Sequence, residues 1–273
     1  MFVLSLFPGV DLLGRGFEAE GYCVVRGPDL LWGGDAHQFV PPRGRFEGVI
    51  GGSPCQDFTS MRRRYAMPPT GYGEQMLVEF MRIVREAAPD WFLLENVPGV
   101  PNICVAGYVM QRFTLNANEC GALQNRQRKF QFGSTVGLVI VPARLPRTAG
   151  ASRAALASEG ERKRRRGWAD FCELQGLPRD FDLPGMTISA KYRAIGNGVH
   201  VAVARTVAKA ISEAYGRTEG VRLCPCECGR IVRGKGIVAT AACRKRMQRA
   251  RDRAWSGGGI SATIFTELGE SNG

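Results

Sequence analysis

The run Phe46 to Ile50 ends on Gly51-Gly52-Ser53-Pro54-Cys55-Gln56, and this junction restricts the architecture more than any other stretch of the chain. The run is aromatic and β-branched, as a short buried strand is. Two glycines then allow backbone angles closed to other residues, while Pro54 fixes the residue before the cysteine. A thiol held in this way stands beyond a strand's carboxyl end, where open α/β sheets keep their chemistry. A second apolar run, Trp91-Phe92-Leu93-Leu94, delivers Glu95-Asn96-Val97 to the same kind of terminus. Two parallel strands, each tipped by a reactive group, point to one site. A lone cysteine is more often an inert core residue, but Arg62, Arg63 and Arg64 follow closely and their charge would favour the thiolate.

The rest of the chain alternates strands and helices. Val3 to Phe7 reads as the first strand, followed by the turn Pro8-Gly9-Val10-Asp11 and a helix through Phe17 and Glu20, with Leu12, Leu13 and Phe17 toward the sheet. A glycine turn of this kind lets a ligand approach backbone amides, although such turns also join many strands to helices without binding anything. Asp11 suits a helix N-cap. The next strand, Tyr22 to Val25, leads to Asp29, about twenty positions beyond the turn, where an acid can accept from ribose hydroxyls. Both Asp29 and Asp35 are equally at home as turn residues. Asp57 to Gly73 is polar and punctuated by glycine and proline, as a mobile loop is. From Gln75 to Ala87 the apolar residues Met76, Leu77, Phe80, Ile83 and Val84 recur at helical spacing. Val105 to Asn116, Lys129 to Phe132 and Leu138 to Val141 have strand character, and the spacing puts Arg126 and Arg128 on one side of an extended chain. Val203, Val207, Ala210 and Ile211 share a face of a helix over Val201 to Tyr215, with Asn197 placed to cap it.

The net charge of +12 favours a polyanionic partner over a merely solvated basic surface, without separating DNA from RNA. Nine cysteines, an odd number, do not form the framework of a secreted disulfide protein and fit a reducing cytoplasm. No apolar run is long enough to span a membrane, and a monomer is expected.

Pro54-Cys55-Gln56, then Glu95-Asn96-Val97, then Gln124-Asn125-Arg126-Gln127-Arg128 resemble, in order, the motif series of the cytosine-5 DNA methyltransferases. The resemblance covers most of residues 1–215. It implies a Rossmann-like α/β fold with a mostly parallel sheet that binds S-adenosylmethionine. By position in the motifs it assigns cofactor contacts to Phe7, Gly9, Asp29, Asp35, Pro54, Met76, Asn197 and Val199, although Asp11 replaces the family's usual second glycine. It further implies that Cys55 adds to C6 of a cytosine turned out of duplex DNA. Glu95 would act as the acid, Arg128 as donor to the ring carbonyl, and Arg126 would orient the thiol loop or donate beside it. Members usually carry a large target-recognition region after the arginine motif, whereas here residues 142–167 form only a short basic link, as in a compact enzyme of a phage or other mobile element. An RNA (tRNA) cytosine-5 methyltransferase and a non-catalytic DNA-binding protein of the same fold are the alternatives.

Residues 216–255 read as a separate basic module. Cys224, Cys226, Cys228 and Cys243 supply the four thiols that a structural zinc site needs, at unusual spacing. Arg244, Lys245, Arg246, Arg249, Arg251 and Arg253 make a basic, helical stretch suited to phosphates. Residues 256–273 are expected to be disordered.

Overall fold

The computed structural model describes residues 1–59, 62, 64–147, 149–216, 222–223, 231–232 and 241–256. The chain divides into two compact units, Met1–Arg217 and Thr218–Gly273.

The first unit is built on a six-stranded sheet of order β2-β1-β3-β4-β7-β5, comprising β1 (Phe2–Leu6), β2 (Cys23–Arg26), β3 (Gly48–Gly51), β4 (Trp91–Asn96), β5 (Val109–Asn116) and β7 (Gln127–Ser134). The first four run parallel, with Ser5 opposite Ile50 and Ile50 opposite Leu93. β7 then pairs antiparallel with both β4 and β5. The apolar runs are continuous because both faces of the sheet are covered. Val3, Ile50, Trp91 and Leu93 point to one side, where they meet Phe17 of α1 (Leu12–Glu18) and Val203, Val207 and Ile211 of α5 (Val201–Gly216). Leu4, Leu6, Val49, Phe92 and Leu94 point to the other, against Phe80, Ile83 and Val84 of α2 (Tyr72–Ala87). The alternation within Trp91 to Leu94 follows from the two-residue period of a strand. A smaller core of Leu12, Phe171, Leu177, Tyr192 and Ile195 joins α1 to α3 (Trp168–Leu174) and α4 (Ile188–Asn197).

The short strand β6 (Gln124–Asn125) leaves the main sheet and pairs with β8 (Ser152–Arg153). Leu138 to Val141 is not a strand. The Gln111 side chain takes the place of a partner strand there, donating to the Ile140 carbonyl at 2.7 Å and accepting from its N–H at 2.9 Å. Asn197 does not cap α5. It closes α4, and the Nδ1 of His200 accepts from Ala202 N–H at 3.0 Å at the start of α5.

α1 and α5 touch at Gly16, where a Cβ would lie 2.3 Å from the Cβ of Ala204. Gly16→Ala is therefore expected to force the two helices apart and cost about 1–3 kcal/mol. A lowered thermal midpoint by calorimetry, with far-UV dichroism unchanged, is the result to look for.

In the second unit β9 (Arg222–Leu223) pairs antiparallel with β10 (Ile231–Val232), and α6 spans Ala241–Ser256. Cys243 is buried in α6, and Cys224, Cys226 and Cys228 lie outside the described residues. Among the described residues no group of three or more His, Cys, Asp or Glu side chains is arranged to hold a metal ion. Nor is any described helix long and apolar enough to cross a membrane.

Candidate active site

A cavity of about 420 Å³ opens at the carboxyl ends of β1, β3 and β4. One end is formed by the loop after β1. Phe7, Gly9 and Asp11 all have left-handed backbone angles, with φ of 53°, 54° and 57°, so the chain reverses tightly into α1. Nothing lies within 4 Å of where a Cβ would stand on Gly9, which leaves that stretch of backbone open to the cavity. Asp11 caps α1, accepting from Gly14 N–H and Ser5 Oγ, each at 2.9 Å, and pairing with Arg26 at 3.0 Å. These contacts brace the loop at the cavity wall. Asp29 reaches across from the end of β2, with one oxygen accepting from Gly9 N–H at 2.7 Å and the other from Leu31 N–H at 2.8 Å. Each oxygen keeps a further lone pair, and Asp29 lines the cavity.

At the other end stand Cys55, Glu95 and Arg128. Cys55 begins the short 3-10 turn Gln56–Phe58 beyond β3. The turn is bolted from the neighbouring strand, since Asn96 Nδ2 donates to Ser53 O at 2.9 Å and Ser53 Oγ at 3.0 Å. Glu95 lies over Gly52, where a Cβ would meet its Oε2 at 3.1 Å. Its Oε1 is 2.9 Å from Arg128 Nε, with both side chains almost enclosed. β7 is the strand that makes this contact possible: running antiparallel beside β4, it places Lys129 opposite Asn96 and brings Arg128 to the strand end where Glu95 emerges.

Burial dominates the electrostatics. It pushes the Glu95 carboxyl up, against the pull of Arg128 and Arg126 toward the anion. It also raises the Cys55 thiol; Arg128 and Arg126 oppose the shift and Glu95 adds to it. The cations that act on the thiol are thus Arg128 and Arg126, in place of the expected cluster after the turn. Arg62 instead pairs with Asp57 at 3.2 Å and donates to the Pro68 carbonyl, Arg64 is exposed, and Arg63 lies outside the described residues. The site therefore holds an acid and a thiol whose burial favours their protonated forms, with a guanidinium touching the acid.

Of the residues singled out in the sequence, Phe7, Gly9, Asp29, Pro54, Cys55, Glu95, Arg128, Asn197 and Val199 all line this cavity. Three do not. Met76 is buried in the core beneath α2. Asp35 accepts from His37 N–H at 2.9 Å in a turn, the alternative open to it from the start. Arg126 is buried and its hydrogen bonds lead away from the thiol loop, to the carbonyls of Ala155 at 2.8 Å, Gly196 at 2.7 Å and Gly198 at 2.8 Å. Burial and the nearby Arg128 bring its pKa down to about 9, so it remains charged at neutral pH.

Arg126 belongs to a buried polar bolt that includes two residues given no role from sequence. Gln124 donates to Gln175 Oε1 at 2.7 Å and accepts from Ala155 N–H at 3.1 Å; Gln175 donates to Ile195 O at 2.7 Å. Together they fix the Gly196–Val199 wall of the cavity to the sheet. Both stand in stretches that resemble the family, Gln124 in the arginine motif and Gln175 in Leu174-Gln175-Gly176-Leu177-Pro178, but neither stretch assigns them a role. Arg126→Met takes the donor from the Ala155 and Gly196 carbonyls, each worth about 1–3 kcal/mol, and leaves Gly198 O with the longer bond from Gln175 Nε2 at 3.3 Å. Lower thermal stability is expected, together with weaker cofactor binding by calorimetry, and Arg126→Lys should recover part of both.

Comparisons with known proteins agree with this arrangement. The sequence model described as C-5 cytosine-specific DNA methylase matches residues 36–154 and 147–213. The chain is 28% identical over 180 residues to Type II methyltransferase M.AgeI of Thalassovita gelatinovora, covering 52% of this chain and 41% of that protein. It is 36% identical over 111 residues to Type II methyltransferase M.AquIA of Picosynechococcus sp., covering 33% of this chain and 44% of that one. It thus spans less than half the length of these curated relatives. The solved structure of the Entamoeba histolytica methyltransferase EhMeth superimposes with a TM-score of 0.58 at 11% identity, covering 78% of this chain and 98% of that one, a likeness of fold. With more than half of its length matched, the chain belongs to the C-5 cytosine-specific DNA methylase family.

Proposed function

We propose that the protein methylates C5 of cytosine in DNA, with S-adenosylmethionine as donor and Cys55 as a transient covalent nucleophile. The observation that carries this reading is the meeting of Cys55, Glu95 and Arg128, with Glu95 Oε1 2.9 Å from Arg128 Nε, at one end of a cavity whose other end is an open glycine backbone beside Asp29.

The residues present fit the cofactor. The volume lies in the range of small-molecule sites, and Asp29 keeps acceptor capacity for hydroxyls. Phe7, Gly9, Asp29, Pro54, Asn197 and Val199 would hold it. When bound, it supplies an electrophilic methyl group. Cytosine C5 is a poor nucleophile until a thiolate adds to C6 and pushes electron density onto C5. The raised thiol must therefore give up its proton to solvent as the base arrives, and the positive charge of Arg128 and Arg126 favours the thiolate that remains. Glu95, whose burial favours the protonated form, hydrogen-bonds N3 and by giving it a proton neutralises the negative charge that addition drives into the ring. Arg128 donates to the ring carbonyl and stabilises the same charge. The C5 proton then passes to solvent water, its electron pair re-forms the C5–C6 double bond as the C6–S bond breaks, Cys55 leaves as thiolate, and N3 returns its proton to Glu95, which restores the aromatic ring. The base must leave the duplex to reach the thiol, at a cost of a few kcal/mol.

The deciding experiment incubates the protein with methyl-labelled S-adenosylmethionine and either duplex DNA or tRNA, followed by bisulfite sequencing. Label at cytosine C5 in the duplex supports the proposal. Label confined to tRNA, or no label in either, overturns it.

A further inference from the structure

We propose that Arg162, Lys163 and Arg164 form a phosphate-binding ridge that grips the nucleic-acid backbone beside the cavity. The inference rests on the reading of DNA as substrate and assigns part of its binding to a surface outside the reaction site.

The ridge stands free because the acids around it are already engaged. Glu159 pairs with Arg166 at 3.0 Å and Glu161 with Arg193 at 2.8 Å, while Arg165 leans on the Tyr192 hydroxyl. Arg162, Lys163 and Arg164 are exposed and have no carboxylate partner among the described residues. Three adjacent cations without counter-charges repel one another, and a polyanion relieves that repulsion while releasing its own counterions.

Position selects the anion. The 3-10 turn Ala157–Glu161 that carries the ridge is pressed against α4: a Cβ on Gly160 would lie 2.9 Å from Tyr192 Cβ, and one on Gly196 only 2.6 Å from Ala157 N. The ridge thus follows a turn packed against one face of α4, while Ala190, Arg193, Ala194 and Asn197 of that helix line the cavity. A nucleic-acid strand whose base occupies the cavity lays its phosphates on the surface around it, where exposed cations can meet them. An anionic lipid surface fits less well, since insertion needs exposed apolar side chains, and the neighbouring Trp168 is instead packed on Phe171 and Tyr192.

The test uses the full chain with Arg162→Gln, Lys163→Gln and Arg164→Gln combined, beside a charge-matched triple in α6, Arg244→Gln, Lys245→Gln and Arg246→Gln. Binding to a fluorescent oligo(dA)·oligo(dT) duplex, which offers phosphates and no cytosine, is titrated over a range of salt. Loss of three phosphate contacts lowers the slope of log K against log salt by about 2.7, so the ridge variant should bind at least about tenfold more weakly at low salt and differ little at high salt. Its thermal midpoint and its kcat on saturating cytosine-containing DNA should match wild type. An unchanged slope, a loss confined to the α6 variant, or a loss of binding to phosphatidylserine vesicles with duplex binding intact would each overturn the ridge. Those results leave the proposed reaction standing if the variant still methylates DNA; a wild-type protein that binds duplex with the steep slope but never methylates it would break the reaction and not the ridge.

Discussion

Cys55→Ala is expected to reduce methyl transfer to duplex DNA by on the order of 10⁴-fold or more, with folding and cofactor affinity preserved. The thiol is half-buried at the tip of a turn whose anchor, the Asn96–Ser53 hydrogen bonds, does not involve the side chain removed. Structure should survive the change while the nucleophile disappears. Cys55→Ser is nearly isosteric but its hydroxyl is far harder to ionise, so it should rank close to alanine. A DNA carrying an analogue that traps the C6 adduct should form a covalent complex with wild type and with neither variant. Wild-type rates in the alanine protein would remove the sulfur from the mechanism.

The second large effect is expected at Glu95, where Glu95→Gln should lower kcat by about 10² to 10⁴-fold. Glutamine keeps the shape and a donor N–H, but it cannot exchange a proton with the ring. Burial raises the Glu95 pKa, so the carboxyl holds its proton to a higher pH than an ordinary side chain does. Rate should therefore fall on the alkaline side as Glu95 ionises, and that limb should vanish in the glutamine variant. The acid-side limb, which follows ionisation of the raised Cys55 thiol, should remain. Stability carries the same sign. A group whose folded pKa lies above its unfolded value stabilises fully below the unfolded pKa, and the contribution is lost as pH rises through the folded one. Wild type should lose this contribution as pH climbs above the ordinary carboxylate range, and Glu95→Gln should be flatter there. Chemical denaturation at a series of pH values measures it.

The sequence made the reacting end of the cavity legible because strand period and turn chemistry are local. An apolar run closed by Gly51-Gly52-Ser53-Pro54, and another closed by Val97-Pro98-Gly99, each put a functional group at a strand terminus, and the two strands do pair in parallel. What failed depended on contacts distant in the chain. Arg126 and Arg128 share a side by simple alternation, but β6 breaks away to pair with β8, and the Arg126 guanidinium finds carbonyls 29 to 72 residues on. Leu138 to Val141 has the composition of a strand, but a Gln111 side chain satisfies its backbone first. Asp35 and Met76 were assigned by motif position alone, and neither reaches the wall. Nothing near Gln175 in the sequence hints that it locks a helix terminus to Gln124 across 51 residues.

The hydrogen bonds from Asn96 to Ser53 have a consequence for engineering. The aim of the sulfur is set from behind by the adjacent strand and, within the turn, by the Phe58 N–H bond to the Cys55 carbonyl at 3.0 Å; none of these bonds involves residues 64–69. A library that randomises solvent-facing positions from Arg64 to Pro69 while leaving Asn96 intact would explore new substrate preferences without disarming the enzyme; one that touched Asn96 would lose activity across every member.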